Sequence, residues 1–308
     1  MTDSLLLQFK VVKQTMRIKN SIIEKIFIYG RMVKFSHTVF ALPFALSAVV
    51  LAQRQHTLTW PDLFWILMAM FGARSAAMGF NRITDAEMDA QNPRTRNRDI
   101  PQNRLSMASA KIFVGIFSLL FILSAAMLGK LCFFLSFPVL AVLFFYSYTK
   151  RFTWTAHLWL GFAISLAPLG AWIAVAKSFD PEILWLCLAL LTYIAGFDIL
   201  YACQDAEFDR QWGLYSIPSV FGISNALPAA RLIHLFSYSG FLALYFAFDM
   251  GKIYLLTTGC IGLLLICEHG LVRADDLRNV HIAFFHVNSL ISLILFIGVL
   301  ADELLRRG

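Results

Sequence analysis

Apolar runs of roughly 18 to 22 residues, each near the length a helix needs to cross a hydrocarbon core, recur along this chain. They fall at about 37–53, 61–80, 111–127, 131–148, 157–176, 182–202, 233–248, 253–267 and 284–301. Within them polar and apolar residues do not alternate, so barrel strands are excluded, and runs apolar on all sides predict helices. The pattern breaks hardest at two places. "NRITDAEMDAQNPRTRNRDIP", residues 81–101, and "DILYACQDAEFD", residues 198–209, put acids directly after or at the end of an apolar run.

Composition agrees with the runs. Of 308 residues 59% are hydrophobic, 15% are charged and 29 are Phe, too apolar a balance for any water-soluble fold. The expected fold is an all-α integral membrane protein, a single polytopic domain over residues 1–308 with about nine transmembrane helices. Residues 1–30 are expected to form an interfacial, cytoplasmic lead-in. Lys and Arg favour one set of linkers by about three to one, which predicts the N-terminus and the acid-rich loops in the cytoplasm of a cell whose inner membrane holds the chain. The net charge of +7 then faces anionic lipid and calls for no nucleic acid. Residues 1–20 are basic and weakly apolar, without the pattern of a cleaved signal peptide. Five cysteines lie in or beside the runs with no CxxC pair, and read as buried reduced thiols.

Asp85 and Asp89 are four residues apart, so on a helix they share a face and repel. Asp205 and Asp209 repeat the spacing, and Asp198, seven residues earlier, lies on nearly the same face. Asp198 falls within the membrane end of its run, where an acid costs on the order of 3 kcal/mol and marks a functional candidate. Paired hard-oxygen clusters suit Mg²⁺, which binds through one or two carboxylates and fills its remaining positions with water and phosphate oxygens. A diphosphate is the expected ligand, with Arg82, Arg94, Arg98, Lys150 and Arg151 as candidate grips.

The motifs "NRITDAEMD" and "DAEFD", the second embedded in "DILYACQDAEFDRQWGLYSIPSVFG", make the chain resemble the UbiA superfamily of intramembrane aromatic prenyltransferases over nearly its whole length. That resemblance implies a helical bundle around a central cavity capped by the two motifs. It implies that Asn81, Asp85 and Asp89 hold Mg²⁺ and diphosphate from one half and Asp205 and Asp209 from the other, with Asp198 and Tyr201 near the reacting carbons. "YSYTKR", which contains Tyr146, matches the family's basic loop, making Lys150 the first choice for a diphosphate contact and Arg151 the next. The implied reaction is Mg²⁺-dependent transfer of a polyprenyl group from its diphosphate to an aromatic hydroxy acid of the 4-hydroxybenzoate type, in ubiquinone or menaquinone synthesis. Tyr215-Ser216, where 4-hydroxybenzoate enzymes commonly carry Lys-Ser, and the opening "KFSHTVFALPFA" resemble instead a branch that prenylates 1,4-dihydroxy-6-naphthoate on the futalosine route. Arg31, Lys34 and His37 are candidates for the acceptor's carboxylate. An ion-coupled transporter is the alternative of another class, since intramembrane acids also mark ion pathways.

Overall fold

The structure, a computed structural model, describes residues 27–33 and 40–307. Lys34, His37 and most of the expected N-terminal lead-in lie outside the described residues. Among the described residues regular structure is helical, apart from one isolated bridge between Arg273 and Asp276. After a helical stretch at 27–32, twelve α-helices follow in order: α1 Leu42–Ala52, α2 Trp60–Thr84, α3 Ala86–Gln91, α4 Met107–Leu128, α5 Lys130–Thr149 and α6 Ala156–Ala176, then α7 Leu184–Ala202, α8 Ala206–Gln211, α9 Ile217–Phe221, α10 Ile223–Ala247, α11 Lys252–Leu271 and α12 Asn288–Arg307. Eight described helices are long and apolar enough to span a membrane, and α1 is a shorter apolar helix. Of the nine expected spans, eight appear among the described residues as helices of spanning length, while the run at 37–53 contributes only the 11-residue α1. The protein is a multi-pass membrane protein.

Local signals explain where the long helices start. At α2, Thr59 accepts from the Asp62 N–H while Asp62 reaches back, a capping box followed by Pro61 in the first turn. Ser106 caps α4 by accepting from the Ser109 N–H. Between α4 and α5 the chain turns on Gly129 alone, at φ 129°, a backbone conformation that side chains rarely adopt.

Each long helix packs on a neighbour in chain order, α4 on α2, α5 on α4, α6 on α5, α7 on α6, α10 on α7, α11 on α10 and α12 on α11. The short α1 closes the ring by packing on both α6 and α12. Helix α7 is the most enclosed, with Leu190, Tyr193 and Ile194 fully buried. Small residues let its neighbours come close: a Cβ on Gly161 of α6 would lie 2.2 Å from the Leu191 carbonyl oxygen. One expectation fails here. All five cysteines are free as expected, but Cys260 and Cys267 of α11 are exposed rather than buried.

Candidate active site

Both acidic motifs fold in the same way. Helix α2 stops at Thr84 and restarts as the short α3, with Asp85 at the joint (φ −93°, ψ 4°). Helix α7 stops at Ala202, passes through a 3₁₀ turn at Cys203–Asp205, and restarts as α8 with Asp205 at the joint (φ −105°, ψ 2°). The first acid of each pair thus sits on a break and the second in the stub that follows. The Asp89 N–H still donates to the Asp85 carbonyl at 2.8 Å, so the helical spacing survives the break and keeps both carboxylates on one side.

The repulsion expected within each pair is met by cations. Lys150 Nζ lies 3.0 Å from Asp85 Oδ2, which also accepts from Asn81 Nδ2 at 3.1 Å. Arg151 stands 3.7 Å from Asp85 Oδ1. Arg98 Nη1 donates to both Asp89 oxygens, at 2.6 and 2.5 Å. Across the chamber Arg94, on the loop after the first motif, forks onto Asp205 through Nε at 2.9 Å and through Nη2, so a cation of one half grips an acid of the other. Burial pulls the Arg94 guanidinium down, but its bonds to Asp205 outweigh that and hold it above the ordinary arginine value. Asn92 Nδ2 adds a bond to Asp205 at 3.1 Å, and Arg94 Nη1 donates to the Tyr201 hydroxyl at 2.7 Å. Asp209 accepts from Ser216 Oγ at 3.0 Å, and Asp198 accepts from His157 Nδ1 at 2.7 Å.

These groups line one polar chamber of about 230 Å³. Asn81, Asp85, Asp89, Tyr146, Lys150, Asp198, Tyr201, Asp205 and Asp209 all stand on its wall. Tyr146 and Leu160 also line a second chamber of about 210 Å³ below it, enclosed by α2, α4, α5 and α6. That lower chamber is walled by Ala, Leu, Ile and Met, with Arg74 its one charged residue among those described. A charged mouth therefore opens onto an apolar depth.

Of the expected site residues, two are placed elsewhere and a third stands at the edge. Arg82 follows Asn81 on α2 and so points about 100° away from it; its Nε donates to the Met32 carbonyl at 3.3 Å and it is almost fully buried. It lines a neighbouring hollow with Arg31, Arg98, Asp99 and Arg104. Arg31, expected at an acceptor's carboxylate, pairs there with Asp99 at 3.1 Å. Arg151 stands at the rim, donating to the Thr84 carbonyl at 2.6 Å with its guanidinium 5.3 Å from the centre of the Tyr148 ring. Three residues were not legible in the sequence, Asn92, His157 and Arg74, and Ser216 was picked out only as half of the Tyr215-Ser216 pair, without its bond to Asp209. None belongs to a repeated spacing; Arg74 is an isolated cation within an apolar run, the one signal that could have singled it out.

Among the described residues no three carboxylate, imidazole or thiolate groups converge closely enough to hold an ion by themselves. The donor set still fits magnesium shared with a ligand. Asp85 Oδ1 is buried and takes no hydrogen bond, with Arg151 only at ion-pair distance of 3.7 Å, a hard-oxygen atom beside the chamber still able to bind a cation.

Known proteins bear on this arrangement. Residues 41–290 match the model of the UbiA prenyltransferase family. The chain is 25% identical over 285 residues to a 4-hydroxybenzoate octaprenyltransferase of Vibrio campbellii, covering 90% of this chain and 98% of that one. A UbiA homologue from Aeropyrum pernix, solved without ligand, superposes with a TM-score of 0.79 at 30% identity, covering 86% of this chain and 98% of that one. The fold is shared also by a UbiA homologue from Archaeoglobus fulgidus solved with DMAPP and Mg²⁺, at a TM-score of 0.69 and 16% identity over 89% of this chain and 99% of that one. The match makes the protein a prenyltransferase and displaces the transporter alternative. With two break-and-restart acid motifs facing each other over an apolar depth, and a family match spanning most of its length, the chain belongs to the UbiA prenyltransferase family.

Proposed function

We propose that the protein transfers a polyprenyl group from a polyprenyl diphosphate to an aromatic hydroxy acid, with magnesium, in quinone synthesis. The observation that carries this reading is the junction of the two chambers: hard-oxygen acids and phosphate-suited cations at the mouth, apolar wall beneath, and Tyr146 and Leu160 shared between them. When bound, magnesium supplies Lewis-acid neutralisation of the departing oxygens. Asp85, Asp89, Asp205 and Asp209 would hold it, with Asp85 Oδ1 already available.

The chain's own residues account for the remaining steps. Lys150, Arg94 and Arg98 leave the carboxylates for phosphate oxygens entering between them, and Arg's planar fork suits that exchange. The isoprenoid tail lies in the lower chamber, whose apolar wall keeps water from the allylic cation left by ionisation. Tyr146 at the junction and Tyr201 above it offer electron-rich rings near that cation. Arg74 can meet the carboxylate of an acceptor reaching into the chamber. Asp198, on the wall and a quarter exposed, receives the ring proton.

Both 4-hydroxybenzoate and 1,4-dihydroxy-6-naphthoate carry that carboxylate, and Tyr215-Ser216 favours the second. We further propose that the chain works as one domain in an inner membrane with the motif end cytoplasmic, which the surplus of Lys and Arg in the linkers at that end supports. Purified protein in lipid, given labelled polyprenyl diphosphate and Mg²⁺, is expected to label one of the two acids and to stop on chelation. No labelling of either acid by folded protein would overturn the reading.

A further inference from the structure

His157 is the second residue of α6, buried at 4% exposure, and its ring nitrogens are committed to different partners. The Ile217 N–H donates to Nε2 at 3.3 Å. A nitrogen that accepts a hydrogen bond carries no proton, so the ring proton is on Nδ1. Nδ1 therefore donates to Asp198 Oδ2, at 2.7 Å.

The donor to Nε2 belongs to a tripeptide that touches the rest of the mouth. The Tyr215 N–H donates to the Lys150 carbonyl at 2.7 Å. Ser216 Oγ donates to Asp209 at 3.0 Å, and the same residue caps α9 in a reciprocal pair with Ser219. Ile217, the next residue, fixes His157. Three consecutive residues thus register the Lys150 loop, an acid of the second motif and, through His157, Asp198.

We infer that His157 is a positioning residue for proton removal: its Nδ1–H aims the Asp198 carboxylate at the aromatic ring, and the 215–217 tripeptide sets that aim relative to the diphosphate site. This rests on the reading given under Proposed function. In the step concerned, a π pair of the acceptor ring forms a carbon–carbon bond to the allylic cation. The ring C–H bond at that carbon then breaks, its electron pair restores the aromatic ring, and the proton passes to an Asp198 oxygen. In this role His157 acts through Asp198, holding its neighbour still. Such supporting hydrogen bonds commonly matter by roughly tenfold to a hundredfold.

Two amide side chains separate the nitrogens. In His157→Gln the terminal amide reaches the position of Nε2 and can accept from Ile217, but nothing donates to Asp198 from the position of Nδ1. In His157→Asn the reverse holds. Turnover would be compared for the wild type and both variants, with an acceptor carrying either hydrogen or deuterium at the attacked carbon. The expected result is a kcat lowered by about tenfold to a hundredfold in His157→Gln, with KM for the polyprenyl diphosphate kept and a deuterium isotope effect absent from the wild type. His157→Asn should recover part of the rate and lose the isotope effect. Equal losses in both variants without an isotope effect, wild-type turnover in His157→Gln, or failure of both variants to fold would each assign His157 to packing and overturn the inference. Absence of transfer to any aromatic acid by the wild type would instead overturn the functional reading on which it rests.

Discussion

Asp85 shows how one side chain can be held by cations while one of its oxygens stays available. Oδ2 is bound by Asn81 and Lys150, and Oδ1 is buried without a hydrogen bond. Asp85→Asn removes the charge that Lys150 faces and halves the hard-oxygen donors. It is expected to lower kcat by on the order of a thousandfold, the scale of an electrostatic group acting on the transition state. The melting temperature in detergent should stay close to wild type, because the site supports catalysis more than packing. Activity within tenfold of wild type would remove Asp85 from the metal set. The acids were legible in the sequence because they recur at a fixed spacing after apolar runs. His157 was not, because a single His near a helix start has no partner in the sequence; its partners Asp198 and Ile217 lie 41 and 60 residues away. Arg82 was grouped with the other basic residues as a candidate diphosphate grip, and the helical turn that separates it from Asn81 carries it to the Met32 carbonyl instead.

At the scale of elements, the apolar runs gave the long helices closely, since burial of a whole surface in lipid leaves the backbone no other partner than itself. The breaks at Asp85 and Asp205 were not legible, because neither contains the Pro or Gly that usually marks a kink. Helix α10 begins at Ile223, ten residues before the run at 233, because its first turns are polar enough to hide it from a hydropathy reading. Close packing of α6 on α7 is a further property of pairs of elements. A Cβ at Gly161 would collide with the backbone of Leu191, which cannot rotate out of the way. Gly161→Ala is therefore expected to cost about 1 to 3 kcal/mol, read as a lower melting temperature. Because His157 lies one turn before Gly161 on α6 and Asp198 lies on α7, turnover should fall with it. An unchanged melting temperature would show that the helices can part without cost.

The whole molecule divides its labour between ends and halves. The motif end gathers the candidate site, with Arg94 of the first half bonded to Asp205 of the second. The opposite end is locked by Arg54 after α1, whose guanidinium bonds Glu303 of α12 and the Phe248 carbonyl, while Asp302 caps the start of α11 through the Gly251 and Tyr254 N–H groups. That lock was invisible in the sequence, since it joins residues 249 positions apart.

The apolar chamber beneath the motif end has one further property. Along α5 its wall runs from Tyr146 to Cys132, a helical rise of roughly 21 Å. On the proposed function, with the reacting carbon held at the upper end, the far end would act as a gauge that measures the isoprenoid from its head. Gly170 of α6 lines this gauge and is the opposite of Gly161: a Cβ there meets nothing within 4 Å. Gly170→Phe is expected to shift transfer from a mixture of polyprenyl diphosphates toward shorter chains at little cost in stability. A product distribution identical to wild type would mean that the tail leaves sideways into the bilayer. In that case the membrane, and not the protein, would decide how long a chain the enzyme attaches.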